Sequence, residues 1–168
     1  MARHVFFSFH YLADSWRVSQ IRNIGMVEGN PPARDNEWEE ITRGGNAAVQ
    51  RWIDGQLRGR SGTVVLIGAA TAQRKWIDYE IEKSWNDGKG VVGVHIHNLR
   101  DVQQRQTSKG ANPFSHFTMH RDRNRSLATL AKCYDPPFSD SRQVYAFIRD
   151  HLEGWIDEGI RIRENWGN

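Results

Sequence analysis

At 168 residues the chain has room for one domain with a sizeable core, and seven tryptophans and seven phenylalanines exclude disorder despite a mean hydropathy of -0.70. Its net charge of +3, with lysines and arginines interleaved among acids, lacks the broad basic face of a nucleic-acid binder. No segment approaches the roughly 20 apolar residues that cross a bilayer, the N-terminus turns polar too soon for a secretory signal, and the one cysteine, Cys133, allows no internal disulfide, so the reducing cytoplasm is the expected address.

The predicted elements alternate. Residues 5–9 form a short apolar strand, and Asp14 can cap a helix running to about Asn23, with Trp16, Val18 and Ile21 available for burial. Residues 25–36, containing Gly29-Asn-Pro-Pro32, read as a loop. Residues 38–42 read as a short second strand, followed by a Gly44-Gly45-Asn46 turn and a helix over 47–57. The third strand, 63–67, is the apolar run Thr-Val-Val-Leu-Ile, stopped at Gly68. Thr71 can cap the helix that follows, 73–86, which Asp87-Gly88 ends. A buried strand over 91–96 comes next. The polar stretch 100–126 is too long for an inert connection and is expected to carry structure or function of its own. Residues 128–134 read as the last strand and 144–162 as the closing helix.

Strands alternating with helices predict one α/β domain over 1–168, with a parallel sheet of about five strands and helices on both faces. Right-handed crossovers favour a flavodoxin-like order, 2-1-3-4-5. A ligand then sits beyond the carboxyl ends of strands one and three, walled by Phe7-Ser-Phe-His10 and Gly68-Ala-Ala-Thr71. On the helix leaving that point, Ile77, Glu80, Ile81 and Ser84 share one side, while Asp78 and Glu82 fall away from it as solvated acids. A carboxylate on the apolar face is either paired, with Arg17 or Arg22 as candidates, or perturbed and useful.

The strand Val-Phe-Phe-Ser-Phe-His, the strand Val-Val-Leu-Ile-Gly and above all Lys75-Trp-Ile-Asp-Tyr-Glu-Ile81 resemble a TIR domain. More narrowly, they resemble the TIR-like branch of bacterial Thoeris anti-phage defence proteins, over nearly the whole chain. Trp76 and Glu80 match the Trp-x-x-x-Glu of the family's helix after the third strand. The resemblance implies cleavage of NAD at the nicotinamide–ribose bond, with a cyclic ADP-ribose isomer as messenger to a downstream effector. It makes Glu80 the catalytic residue and places Phe7, Ser8, His10 and Trp76 around the nucleotide. NAD is then substrate rather than cofactor. Self-association and a phage-derived trigger are the further partners expected.

The chemistry suits a single carboxylate. Nicotinamide is a cationic leaving group that needs no general acid, and an anion beside the ribose stabilises an oxocarbenium-like transition state. Two rivals stand beside this reading: a nucleoside deoxyribosyltransferase-like enzyme, and a non-catalytic TIR module that binds partners. A metal is not expected. His95-x-His97 and His116-x-x-x-His120 have spacings seen in metal sites but lack a further ligand set. Nothing beside Cys133 in the sequence would activate it as a nucleophile.

Overall fold

The structure, a computed structural model, describes residues 3–25, 27–30, 35–119 and 121–167, with backbone alone at 35–37. Five strands form one sheet in the order β2-β1-β3-β4-β5, every neighbouring pair parallel. They are β1 (Arg3–Ser8), β2 (Val27–Gly29), β3 (Gly62–Ile67), β4 (Gly90–His95) and β5 (Cys133–Tyr134). This is the flavodoxin-like arrangement the alternation predicts. Every residue of β3 and β4 is buried, because helices cover both faces of a parallel sheet.

Side-chain alternation along β1 divides the core. Phe7 joins Val5, Val64 and Leu66 under helices α1 (Tyr11–Arg22) and α5 (Ser141–Trp166). Phe6 packs on the other face beneath α3 (Gly45–Leu57), with Val49, Ile53 and Leu57. On that same face α4 (Lys75–Asn86) seats Ile77, Ile81 and Trp85 against Val65, Ile67 and Val91. Among the described residues no helix is long and apolar enough to cross a membrane.

The second strand lies elsewhere than expected. Residues 38–42 belong to a helix, α2 (Asp35–Arg43), where Trp38 and Ile41 share a face three residues apart and lean on α3. The rings of Trp38 and Trp52 lie 5.7 Å apart. The strand itself is Val27–Gly29, inside the segment read as a loop, of which residues 26 and 31–34 lie outside the described set. Three edge residues are too few to show a period of two. Gly29 is needed there: a Cβ would stand 2.4 Å from the Phe7 ring.

Other boundaries also shift. α1 begins at Tyr11, so Asp14 is not a cap but a buried acid in the first turn. Likewise Thr71 does not cap α4. Its Oγ1 accepts the Gly68 N–H at 2.8 Å and closes the turn, Gln73 adopts φ 63°, and the helix starts at Lys75. Of residues 128–134 only Cys133–Tyr134 pair as strand, because the Ser126 hydroxyl accepts the Ala128 N–H and turns Leu127–Thr129 into 3-10 helix. α5 runs longer than expected, from an Asp140 cap that accepts the N–H groups of Arg142 and Gln143.

The long polar stretch packs across the carboxyl end of the sheet. Phe114 and Met119 are buried against β3, β4 and α4. Arg17, 2% exposed, pairs with Asp14 at 3.1 Å, and its other N–H groups donate to the carbonyls of Leu99 and Arg105, each at 2.8 Å. Removing one member of a buried pair strands the other's charge at a cost of about 3–5 kcal/mol. Arg17→Ala is therefore expected to destabilise the protein by about that much in denaturant unfolding. A loss typical of a surface ion pair, below about 1 kcal/mol, would show that this anchor does not carry the packing.

Candidate active site

At the carboxyl end of β1, beside β3, the chain assembles a small polar site on an otherwise apolar face. Ser8 ends β1 on the same side as Phe6, and the face of α4 that carries Ile77, Glu80, Ile81 and Ser84 lies over it. Ser8 Oγ donates a hydrogen bond to Glu80 Oε2. One helical turn on, Ser84 Oγ lies 2.7 Å from Thr63 Oγ1 on β3 and 2.6 Å from the Glu80 carbonyl oxygen. Serines and a threonine thus align a polar seam under α4.

Glu80 is 9% exposed. Neither arginine proposed from the sequence reaches it. Arg17 is committed to Asp14 and two carbonyls, and Arg22 donates to the Asn30 carbonyl and sits over the rings of Phe7 and Phe9. Burial pushes the Glu80 carboxyl up to about 8, opposed by the Ser8 hydrogen bond. At neutral pH the resting carboxyl is mostly protonated, with a proton that leaves readily when a positive charge comes close.

The other candidate residues distribute around this centre. His10 precedes α1 half-buried, with no hydrogen bond at Nδ1 among the described residues, and burial together with the Arg74 charge holds its imidazole below its ordinary value. Trp76 stands one turn before Glu80 on α4, edge-on to Tyr79 with ring centres 5.9 Å apart and with the Lys75 ammonium 4.7 Å from its ring centre. Phe7 faces the opposite side of the sheet, inside the core, so its ring and Glu80 lie on different faces.

Sequence reasoning took Asp14 for a cap and missed its place here. It is 1% exposed, its Oδ2 has no hydrogen-bond partner among the described residues, and burial raises its carboxyl even beside Arg17. A Cβ on Gly68 would come within 2.1 Å of that oxygen, so Asp14 presses on the end of β3. The Asp14-x-x-Arg17 spacing, one helical turn, was the available signal. Asp78 was expected to be solvated but pairs with His116 at 3.1 Å; Glu82 is exposed as expected.

His95 and His97 are buried with ring centres 5.8 Å apart, and burial drives His95 down to about 4. Among the described residues no three His, Cys, Asp or Glu side chains converge as a metal site, and His120 lies outside the described set. Burial pushes the Cys133 thiol up to about 12, which leaves it protonated and unreactive at neutral pH.

Comparison with known proteins identifies the family. A family profile described as "Thoeris protein ThsB, TIR-like domain" matches residues 6–101, more than half of the chain and all of the Glu80 site. A protein of Bacillus cereus (strain MSX-D12), named as a candidate cyclic ADP-D-ribose synthase, ThsB1, is 39% identical over 122 residues. That match covers 70% of this chain and 64% of the relative, so the chain spans less than two thirds of the relative's length.

The burial of Glu80 has a measurable consequence. An unfolded glutamate ionises near 4.5 and the folded one near 8, so the folded state holds its proton across that window. The stability linked to the neutral form is full below pH 4.5 and is lost as pH rises toward 8. Glu80→Gln keeps an acceptor for Ser8 but cannot ionise. Its melting temperature is expected to gain on wild type by several degrees between pH 5 and pH 8. A difference independent of pH would mean that Glu80 is ionised throughout.

Proposed function

This chain belongs to the TIR-like family of the Thoeris protein ThsB, and from that premise we propose that it cleaves the nicotinamide–ribose bond of NAD and closes the product into a cyclic ADP-ribose. The observation that carries the reading is the buried Glu80, hydrogen-bonded by Ser8 at the switch point of a parallel sheet.

The steps follow from that placement. The positively charged nicotinamide–ribose enters beside a neutral carboxyl and lowers its proton affinity, so charge is recruited only when substrate arrives. The bond between ribose C1′ and the ring nitrogen breaks, and neutral nicotinamide departs with the electron pair. Ionised Glu80, poorly solvated, stabilises the oxocarbenium left behind, where an electrostatic contact is strongest. Attack by a nucleophile within the same molecule yields a cyclic product, whereas attack by water yields ADP-ribose. Where a hydroxyl attacks, Glu80 can accept its proton. Trp76, half-buried one turn before Glu80 on α4, would stack against a ring and limit water.

A constantly active NAD-consuming enzyme would deplete its own cell, so activity should be low at rest and rise on infection. The segment over the carboxyl end of the sheet, tied down by Arg17, supports gating at that place, and self-association would offer a second switch. The messenger would act on a separate effector.

Glu80→Gln is expected to reduce NAD turnover by about a thousandfold or more while the protein stays folded. For wild type, kcat/KM should rise with pH along a limb near 8, which reports Glu80 in the free enzyme. Mass spectrometry of nucleotides from phage-infected cells should find a cyclic ADP-ribose species with wild type and none with Glu80→Gln. Identical nucleotide profiles alongside intact defence would instead identify an interaction module.

A further inference from the structure

Among the described residues three large hydrophobic side chains stand in solvent, and all three belong to one region of the surface. Leu12, 87% exposed, and Trp16, 50% exposed, lie one helical turn apart on the outer stripe of α1. Val102, 67% exposed, sits at the tip of the loop that packs beside that helix. Two bonds bracket the loop against α1: the Gln20 side chain donates to the Arg100 carbonyl and Arg17 to the Arg105 carbonyl, each at 2.8 Å. A lone exposed leucine needs no explanation, but apolar side chains gathered in one place mark a surface that meets something apolar.

The loop is built to hold its shape. Asp101 Oδ1 accepts the N–H groups of Gln103 and Arg105, each at 2.9 Å, the Asp101 N–H donates to the Arg105 carbonyl at 2.9 Å, and Gln104 takes a left-handed φ of 63°. Val102 is thereby held outward before any partner arrives, which lowers the entropy lost on docking. The charge around the patch has one sign. Arg100, Arg105 and Lys109 are exposed, whereas the acids of these two segments are already engaged. Asp14 is buried beside Arg17, and Asp101 is turned to the N–H groups of its own loop, with Oδ2 3.8 Å from Arg17. Lys109 reaches away to Asp135 at 3.0 Å, so Arg100 and Arg105 dominate the charge at the patch.

An indole and two aliphatic side chains that protrude together beside arginines match an anionic phospholipid surface. Tryptophan favours the boundary between water and hydrocarbon, and arginine meets the head-group phosphates. A stable protein interface covers about 800 Å2 on each side, and three side chains, the largest of which buries about 150–250 Å2, supply only a fraction of that. We propose that the face formed by α1 and residues 100–105 attaches the protein reversibly to an anionic lipid bilayer, with Leu12, Trp16 and Val102 entering the interface and Arg100 and Arg105 at the phosphates. So few groups give an attachment that forms and releases, as a single acyl chain does. The inference does not depend on the function proposed above, because Glu80 lies under α4 on the other face of the sheet from α1.

Co-sedimentation of the full chain with vesicles of pure phosphatidylglycerol or pure phosphatidylcholine tests the proposal. The protein should pellet with phosphatidylglycerol, at least about tenfold more weakly with phosphatidylcholine, and less with phosphatidylglycerol as salt is added. Leu12→Ser and Trp16→Ser change exposed side chains, so each should fold normally by circular dichroism and weaken binding about tenfold. Val102→Ser, on the loop, gives the same reading should a helix variant unfold. Arg105→Gln should weaken binding about fivefold, and Glu80→Gln should bind as wild type does. Absence of binding to phosphatidylglycerol overturns the proposal, as does equal binding to both lipids or binding that survives Leu12→Ser and Trp16→Ser together. Binding to polyglutamate as tight as to the anionic vesicles would identify an acidic polypeptide as the occupant instead. An oligomer without lipid that Trp16→Ser converts to monomer would show a second copy on the patch, and also overturns it.

Discussion

The carboxyl end of the sheet is organised around the close approach of three chain segments at Gly68. Asp14 presses its carboxylate onto this glycine from α1, and Gly110 lays its backbone against the Gly68 carbonyl, where even a Cβ on Gly110 would fall within 2.0 Å. Arg17 makes this crowding tolerable. Its guanidinium neutralises Asp14 and satisfies the carbonyls of Leu99 and Arg105, so a buried charge and two loop carbonyls share one partner. The ion pair Lys109–Asp135, at 3.0 Å, and the bond from Thr107 N–H to the His97 carbonyl, also at 3.0 Å, hold the same segment farther along. Larger side chains at either glycine would pry this roof from the sheet.

Beneath that roof the protein keeps two acids out of water by different means. Asp14 has a cation in contact. Among the described residues Glu80 has only a serine hydroxyl, and the two arginines near enough in sequence pattern to serve it are engaged elsewhere. A carboxyl without a counter-ion is a liability in a core and an asset beside a substrate that brings its own positive charge. The same desolvation that opposes ionisation at rest strengthens the attraction to a cationic transition state. On the function proposed above, stability and chemistry pull against each other at this residue.

The buried face of α4 carries Glu80 and Ser84 over the sheet, and at its far end Trp85 packs with Ile77 and Ile81. Arg163, at the end of α5, reaches the carbonyl of Trp85 and so ties the end of α4 to the end of the chain's last helix.

Much of the arrangement was legible in the amino-acid order. The unbroken apolar runs of β3 and β4 announce strands covered on both sides, and the spacing of Ile77, Glu80, Ile81 and Ser84 places the acid on the buried face of its helix. Alternation of strand and helix carries the strand order, since right-handed crossovers leave few alternatives. These features are local periodicities, repeated over enough residues to stand above noise. Tertiary structure decided the rest. Three residues of β2 become strand because β1 offers them an edge, and residues 38–42 become helix because Trp38 and Ile41 find α3. Asp14 could be a cap or a buried partner by sequence alone, and Phe7 could face the ligand or the core. Which side of β1 meets α4, and whether Glu80 finds Ser8 or an arginine, depends on how elements far apart in the chain are brought into register, and contacts between distant residues leave no local pattern to read.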